Sequence, residues 1–244
     1  MDASRHSWPG ALLVEKERTG STMDDALALG LAGCPSGSVV TAAFQDSGRG
    51  RVPGRTWLSP AGESLLATVV LRAPELAFPL HEIPLRAGVA LAAAVEGQTG
   101  LAVRIKWPND IMVGGRKLCG LLCELHGPIA LVGFGINCNQ ASFPPEIAGS
   151  ACSLLQATGR RFTPRDLLPP VLDELRRWVS PADWLTPLRE RLYRRGETVR
   201  VDILGAARSI EGVLLDIEGS GGLLVRLPDG RVERVLQGEI SPDP

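Results

Sequence analysis

Gly114, Gly115 and Arg116 separate two apolar runs, IMV and KLCGLLCEL, leaving room only for a reversal of the chain. Paired glycines supply the positive backbone angles of a tight turn, so the two runs are committed to an antiparallel hairpin. PIALVGFGIN follows at once and reads as a further strand, while SVVTAAF (38–44) and ESLLATVVL (63–71) upstream carry the β-branched residues of two more. Between these groups, HEIPLRAGVALAAAVEGQTG reads as a buried helix ending at Gly100, with LAVRIKW the strand after it. Ser21, Thr22, Met23 and Asp24 have the S-x-x-D form of a helix cap, and Ala26, Leu27, Leu29 and Leu31 carry that helix toward Gly33. The chain is therefore α+β, a mixed β-sheet flanked by helices.

From Gln140 to Gly149 the composition becomes loop-like, and in LLPPVLDELRRWV the residues Leu168, Val171, Leu172, Leu175 and Val179 keep helical spacing. Arg189, Arg191, Arg194 and Arg195 crowd together without an aromatic platform, so they read as a solvated helix face rather than a nucleic-acid surface. After Gly196 short strands separated by glycines take over, the pattern of a small antiparallel barrel. A chain of 244 residues, 44% of them hydrophobic, is long enough for both parts, with the boundary expected between residues 1–195 and 196–244.

A formal net charge of -1 gives no general attraction for nucleic acid or anionic membranes. No apolar run reaches the roughly 18 residues that span a bilayer, and MDASRHSWPG lacks the apolar centre of a signal peptide, so a cytoplasmic protein is expected. Five cysteines (Cys34, Cys119, Cys123, Cys138 and Cys152) form no CxxC pair and read as small core residues rather than disulfides or zinc ligands.

Against this background QDSGRGRVPGRTW, from Gln45 to Trp57, stands out. Glycine lets backbone amides approach an anion and each guanidinium offers forked donors, so the stretch is suited to wrapping an anionic ligand and should be mobile without one. It is no P-loop, because no Gly-Lys pair occurs in the sequence, and Gly48, Gly50 and Gly54 miss the dinucleotide spacing. Three lysines stand against twenty-three arginines, and two of them, Lys106 and Lys117, lie close together. A retained lysine offers a compact ammonium for an oxygen that gains charge during reaction. Lys106 opens KWPND, where Pro108 ends a strand and presents Asn109 and Asp110.

KWPND, GRGR, the RKLCGLLCE hairpin, GFGIN and the closing GEIS together resemble the biotin protein ligases, over nearly the whole chain from about Thr19 to Ser241. The resemblance implies a class II aminoacyl-tRNA synthetase-like catalytic domain and a C-terminal SH3-like barrel. It implies an enzyme that activates biotin with ATP and Mg2+ and passes it to a lysine of a biotin carboxyl carrier domain. On that pattern Ser21, Thr22 and Gln45 hold biotin, Gly48, Arg49, Gly50 and Arg51 close over it, Lys117 meets its carboxylate and the α-phosphate, and Gly120 allows close approach. Lys106, Asn109 and Asn137 fall on the nucleotide side, with Arg55 and with Trp57 near adenine. Asp110 is implicated as metal ligand or as base for the transfer step.

Two departures from the pattern are Met23, where asparagine is common, and a loop one residue longer at Val52-Pro53-Gly54. No Ser-His-Asp triad is needed, and His6, His81 and His126 sit near no nucleophile motif. With roughly 18 residues before the matched region no DNA-binding domain is expected, and a second copy of the chain is counted among candidate partners. A lipoate-type ligase and a non-catalytic biotin-binding adaptor are the competing expectations.

Overall fold

The computed structural model describes residues 8–52, 54–180, 183–205 and 208–241; His6 and Pro53 lie outside them. β1 (Leu13–Thr19) leads through α1 (Thr22–Leu31) to β2 (Val39–Gln45), which runs parallel to β1. β3 (Ser64–Arg72) turns back antiparallel, and α2 (Ile83–Thr99) crosses to β4 (Arg104–Lys106), β5 (Asp110–Val113), β6 (Arg116–His126) and β7 (Ile129–Asn137). The sheet order is β1-β2-β3-β7-β6-β5-β4, so the hairpins expected from sequence build most of it, and its pairs other than β1–β2 are antiparallel. Gly114 and Gly115 have φ of 55° and 76°, as the β5–β6 turn requires.

Alternation along the strands decides what each face does. On β3, Leu65, Ala67, Val69 and Leu71 enter the large core beneath α2, while Leu66 and Thr68 face the other way into a polar cleft. β7 repeats this: Ala130, Val132, Phe134 and Ile136 pack into the core, and on the cleft side Gly133 and Gly135 present no side chain. Each fully buried leucine or isoleucine contributes about 1.5–3 kcal/mol of transfer free energy, so this face anchors the sheet.

α3 (Leu154–Thr158), α4 (Leu168–Trp178) and α5 (Leu185–Arg191) follow the sheet. α4 buries Leu168, Val171, Leu172 and Leu175 as expected, but Trp178 rather than Val179 completes its stripe. The second sheet holds β8 (Thr198–Ile203), β9 (Ser209–Ile217), β10 (Leu223–Arg226), β11 (Val232–Val235) and β12 (Gly238–Ile240), all antiparallel, in the order β11-β10-β9-β8-β12. Its apolar residues Val199, Val201, Ile210 and Leu214 belong to the same core as α2 and β3, and Trp107 donates its Nε1–H to Gly221 O at 2.9 Å across the junction.

The arginine cluster is only partly solvated, Arg195 being exposed, and each guanidinium also has a partner within the chain. Arg189 donates to Ile217 O, Arg191 pairs with Glu96 at 2.7 Å, Arg194 with Glu197 at 3.0 Å and Arg195 with Asp216 at 3.0 Å. These guanidiniums tie α5 and the chain after it to α2 and to the second sheet. Among the described residues no helix is long and apolar enough to cross a membrane.

Candidate active site

α1 begins where β1 ends, and Ser21 caps it by accepting from the Met23 N–H at 3.3 Å. The expected reciprocal cap is not made, because Asp24 turns its carboxylate outward to Arg49 at 2.8 Å. The cap nonetheless places Ser21, Thr22 and Met23 at one end of the cleft, opposite Gln45 at the end of β2. The Thr22 backbone N–H and its hydroxyl both donate to Gln45 Oε1, at 2.7 and 2.9 Å, and the Thr68 hydroxyl donates to Thr22 Oγ1 at 2.8 Å. A backbone N–H cannot accept, so the atom it meets on Gln45 must be oxygen and the amide Nε2 is left to donate elsewhere.

The floor is glycine for a measurable reason. A Cβ on Gly133 would lie 2.5 Å from Met23 Sδ, one on Gly135 would lie 2.6 Å from the Trp57 ring, and one on Gly120 would lie 3.1 Å from Lys117 Cε. Met23 is thus the apolar wall of the cleft's inner end, packed with Ala26, Val40, Val70 and Leu131.

The cationic loop lies across this floor as a narrow hairpin. Gly50 N–H donates to Arg55 O and Trp57 N–H to Gly48 O, each at 2.8 Å, and Arg49 bridges Thr56. Its charges are partly offset from within the chain, in addition to whatever anion the loop would wrap. Arg49 meets Asp24, Arg55 meets Glu239 of β12 at 2.8 Å, and Arg51 donates to Gly238 O at 3.0 Å with Glu239 at 3.6 Å.

At the other end of the cleft Lys117 pairs with Asp110 at 2.7 Å and stands 5.8 Å from the centroid of the Trp57 ring. Lys106 is opposite Asp110 in the β4–β5 register; burial pushes its ammonium below the usual lysine range, and the Asp110 charge opposes that shift. Asn109 donates to Leu121 O at 2.7 Å, fixing the KWPND turn against β6. A second cavity, of about 260 Å3, opens between the two sheets beside His81, Leu85, Trp107 and Gly221 and shares Arg51, Asn109 and Leu121 with the cleft.

Ser21, Thr22, Gln45, Arg49, Gly50, Arg51, Trp57, Asn109, Lys117 and Gly120 are brought together around the cleft. Asn137 does not line it: its amide donates to Cys152 O at 3.0 Å and accepts from Gln140 at 3.2 Å, buried at the end of β7 two residues beyond Gly135. Trp57 lies against the glycine floor, with its buried Nε1–H lacking a hydrogen-bond partner. Sequence reasoning missed Thr68, Gly133, Gly135 and Glu239. Their signals were a threonine in the middle of an apolar strand, the alternation GFG, and the acid of GEIS.

Neutral donors at one end of a glycine-floored cleft, an ammonium at the other and a cationic flap across it suit an enzyme that presses a small organic acid against a nucleotide. The class defined in this way is an acid-activating ligase. The model of the biotin/lipoate A/B protein ligase family matches residues 16–140, and the chain belongs to that family. It is 34% identical to the biotin–[acetyl-CoA-carboxylase] ligase of Paracoccus denitrificans over 88% of this chain and 94% of that protein. It is 30% identical to the bifunctional ligase/repressor BirA of Bacillus spizizenii, over 95% of this chain and 74% of that protein. The biotin protein ligase of Aquifex aeolicus, solved in complex with biotin and ATP, superposes with a TM-score of 0.83 at 29% identity, covering 94% of this chain and 97% of that one.

Proposed function

We propose that this chain activates biotin with ATP to biotinyl-5'-AMP and transfers the biotinyl group to a lysine of a biotin carboxyl carrier protein. The observation that carries this reading is the separation of roles along one cleft: Ser21, Thr22 and Gln45 form an uncharged polar end, while Lys117 supplies the positive charge at the other. A ureido ring suits the first and a carboxylate the second. Lipoate is not favoured, because its dithiolane ring offers nothing to these polar groups and would leave them unsatisfied.

In this reading Lys117 holds the biotin carboxylate while one of its oxygens attacks the α-phosphorus of ATP and pyrophosphate leaves. Arg49 and Arg51, with Gly48 and Gly50, cover the mixed anhydride against water, each exchanging a carboxylate or carbonyl partner for a phosphate. Gly120 gives the ligand close access to β6. The nucleotide extends toward the second cavity, beside Arg55, Lys106 and Asn109, with Trp57 as the wall between the two ligands. Asn137 holds the end of β7 through its hydrogen bond to Cys152 O. Residues 1–195 then act as the binding body and 196–244 as the small domain that closes the second cavity.

Magnesium accompanies ATP mainly through phosphate oxygens and water. Asp110, engaged by Lys117, fits an ion-pair partner better than a metal ligand, and the described residues hold no group of three or more His, Cys, Asp or Glu that could bind a metal. In the second step the acceptor's ε-amine attacks the acyl carbon and AMP leaves. A free lysine is protonated at neutral pH, and Asp110 is the carboxylate placed to take that proton. A cytoplasmic setting, with ATP at hand, goes with this chemistry.

The test is incubation with biotin, MgATP and a carboxyl-carrier domain, followed by intact-mass measurement. One added biotinyl group per carrier is expected; an unmodified carrier, with no biotin-dependent pyrophosphate release, overturns the reading.

A further inference from the structure

The polar end of the cleft holds a hydroxyl whose proton is assigned by its neighbours. Gln45 Oε1 receives the Thr22 backbone N–H at 2.7 Å, which fixes that atom as oxygen and therefore as an acceptor. Thr22 Oγ1 lies 2.9 Å from the same oxygen, and two acceptors cannot share a hydrogen bond without a proton, so the Thr22 hydroxyl must donate there. Thr68 Oγ1 is 2.8 Å from Thr22 Oγ1, whose single proton is already spent, so Thr68 is the donor in that pair. Thr68 has no solvent exposure and sits in the middle of β3, paired with Val40 on one side and Gly133 on the other. It is locked in place by the sheet.

The consequence falls on Thr22. With one proton given to Gln45 and one received from Thr68, its remaining free group toward the cleft is a lone pair. Next to it the Gln45 Nε2–H and the Ser21 hydroxyl can donate. The cleft thereby offers an acceptor beside donors.

We infer that Thr68 is a positioning residue that sets ligand specificity: Gln45 takes the Thr22 proton, the Thr68 hydroxyl occupies one of the two Thr22 lone pairs and holds the side chain in place, and the lone pair left over is aimed so that the cleft selects a ring N–H beside a carbonyl. The inference rests on the biotin reading, whose ureido ring presents that pair of groups. Without the Thr68 hydroxyl, Thr22 keeps its proton on Gln45 but loses the partner that holds its second lone pair, so the lone pair facing the ligand is no longer fixed in direction and the preference for an N–H at that point weakens.

The probes are biotin and its two cyclic-carbamate analogues, in each of which one ring N–H is replaced by oxygen. Binding is measured by calorimetry on the full chain, alongside steady-state KM and kcat for biotin. The wild-type protein is expected to prefer biotin over one of the two analogues by about 10- to 100-fold, the cost of opposing lone pairs or an unmatched buried group. Thr68→Val should narrow that ratio about tenfold and raise KM for biotin with kcat little changed, since the reacting carboxylate lies at the far end. Thr68→Ser, which keeps the hydroxyl, should restore the ratio.

Equal wild-type binding of biotin and both analogues overturns the inference. So does a Thr68→Val protein that keeps the wild-type ratio, or one that weakens biotin and both analogues in step. Thr68→Ala replaces the valine variant if the latter does not melt cooperatively. A wild-type protein that releases no pyrophosphate in response to biotin counts against the biotin reading instead, because the binding ratios are measured without turnover.

Discussion

At the scale of single residues, Lys117 carries the clearest expectation. Its ammonium faces Asp110 at 2.7 Å and lies at the charged end of the cleft, so Lys117→Ala should lower kcat for biotin-dependent pyrophosphate release by about 10²–10³. Lys117 is half-exposed and Asp110 mostly buried, but Lys106 stands opposite Asp110 and still compensates its charge, so the stability lost is on the order of 1 kcal/mol. Calorimetry should therefore find the melting temperature little moved, which separates a catalytic loss from an unfolded protein. Gly135→Ala tests the floor: its Cβ would fall 2.6 Å from the Trp57 ring, so the ring must shift and KM for biotin should rise about tenfold, with a change in tryptophan fluorescence. Cys34, Cys119, Cys138 and Cys152 are buried as the composition implied, whereas Cys123 is half-buried and lines the second cavity. Burial pushes the Cys123 and Cys138 thiols up to about 12 and holds Cys119 higher still, so little thiolate exists at neutral pH. A thiol reagent should label Cys119 and Cys138 slowly in the native protein and fast after denaturation.

At the scale of elements, the loop from Gly48 to Trp57 was recognisable as a ligand flap, yet what holds it was not. Its partners Asp24 and Glu239 are 25 and 184 residues from the arginines they meet, and nothing local announces them. Glu239→Gln removes the carboxylate that faces Arg51 and Arg55, and limited trypsin digestion of the ligand-free protein should cut at these arginines several times faster. An unchanged cleavage rate would mean that β12 does not hold the loop. The hairpin strands and α2 were legible because their periodicity and turn glycines are local signals. β1 was missed: LVEKERT is an edge strand whose middle is exposed and charged, so no apolar alternation marks it. The arginines at 189–195 were misread for the opposite reason, since charge looks solvated until its partner arrives from another part of the chain.

At the scale of the whole molecule, α2 holds the parts together. Its Arg86, 5% exposed, pairs with Glu82 at 2.7 Å and donates to Trp178 O at 3.0 Å, beneath the faces of Phe78 and Trp184. Arg86→Ala would leave Glu82 buried and unpaired, a loss of about 3–5 kcal/mol. For a chain of this size that corresponds to a fall in melting temperature of at least about 6 °C, measurable by calorimetry. The second sheet is bound into the same core, with Trp107 Nε1 bonded to Gly221 O and Leu85 packed where a Gly221 side chain would lie. That docking creates the second cavity and brings Glu239 to the loop, so the two sheets share one site.

The sequence by itself determined which residues could bind and activate an acid: the helix cap at Ser21, the glycine-arginine loop and the solitary lysines are fixed by local chemistry and carry their meaning in their order. Tertiary structure alone decided how those groups are charged, oriented and supported. Thr68 reaches Thr22 across 46 residues, Glu239 reaches Arg55 across 184, and Asn137 reaches Cys152 across 15. Hydrogen bonds and ion pairs act over a few ångströms of space, whatever the distance along the chain, so their partners appear only once the sheets have formed.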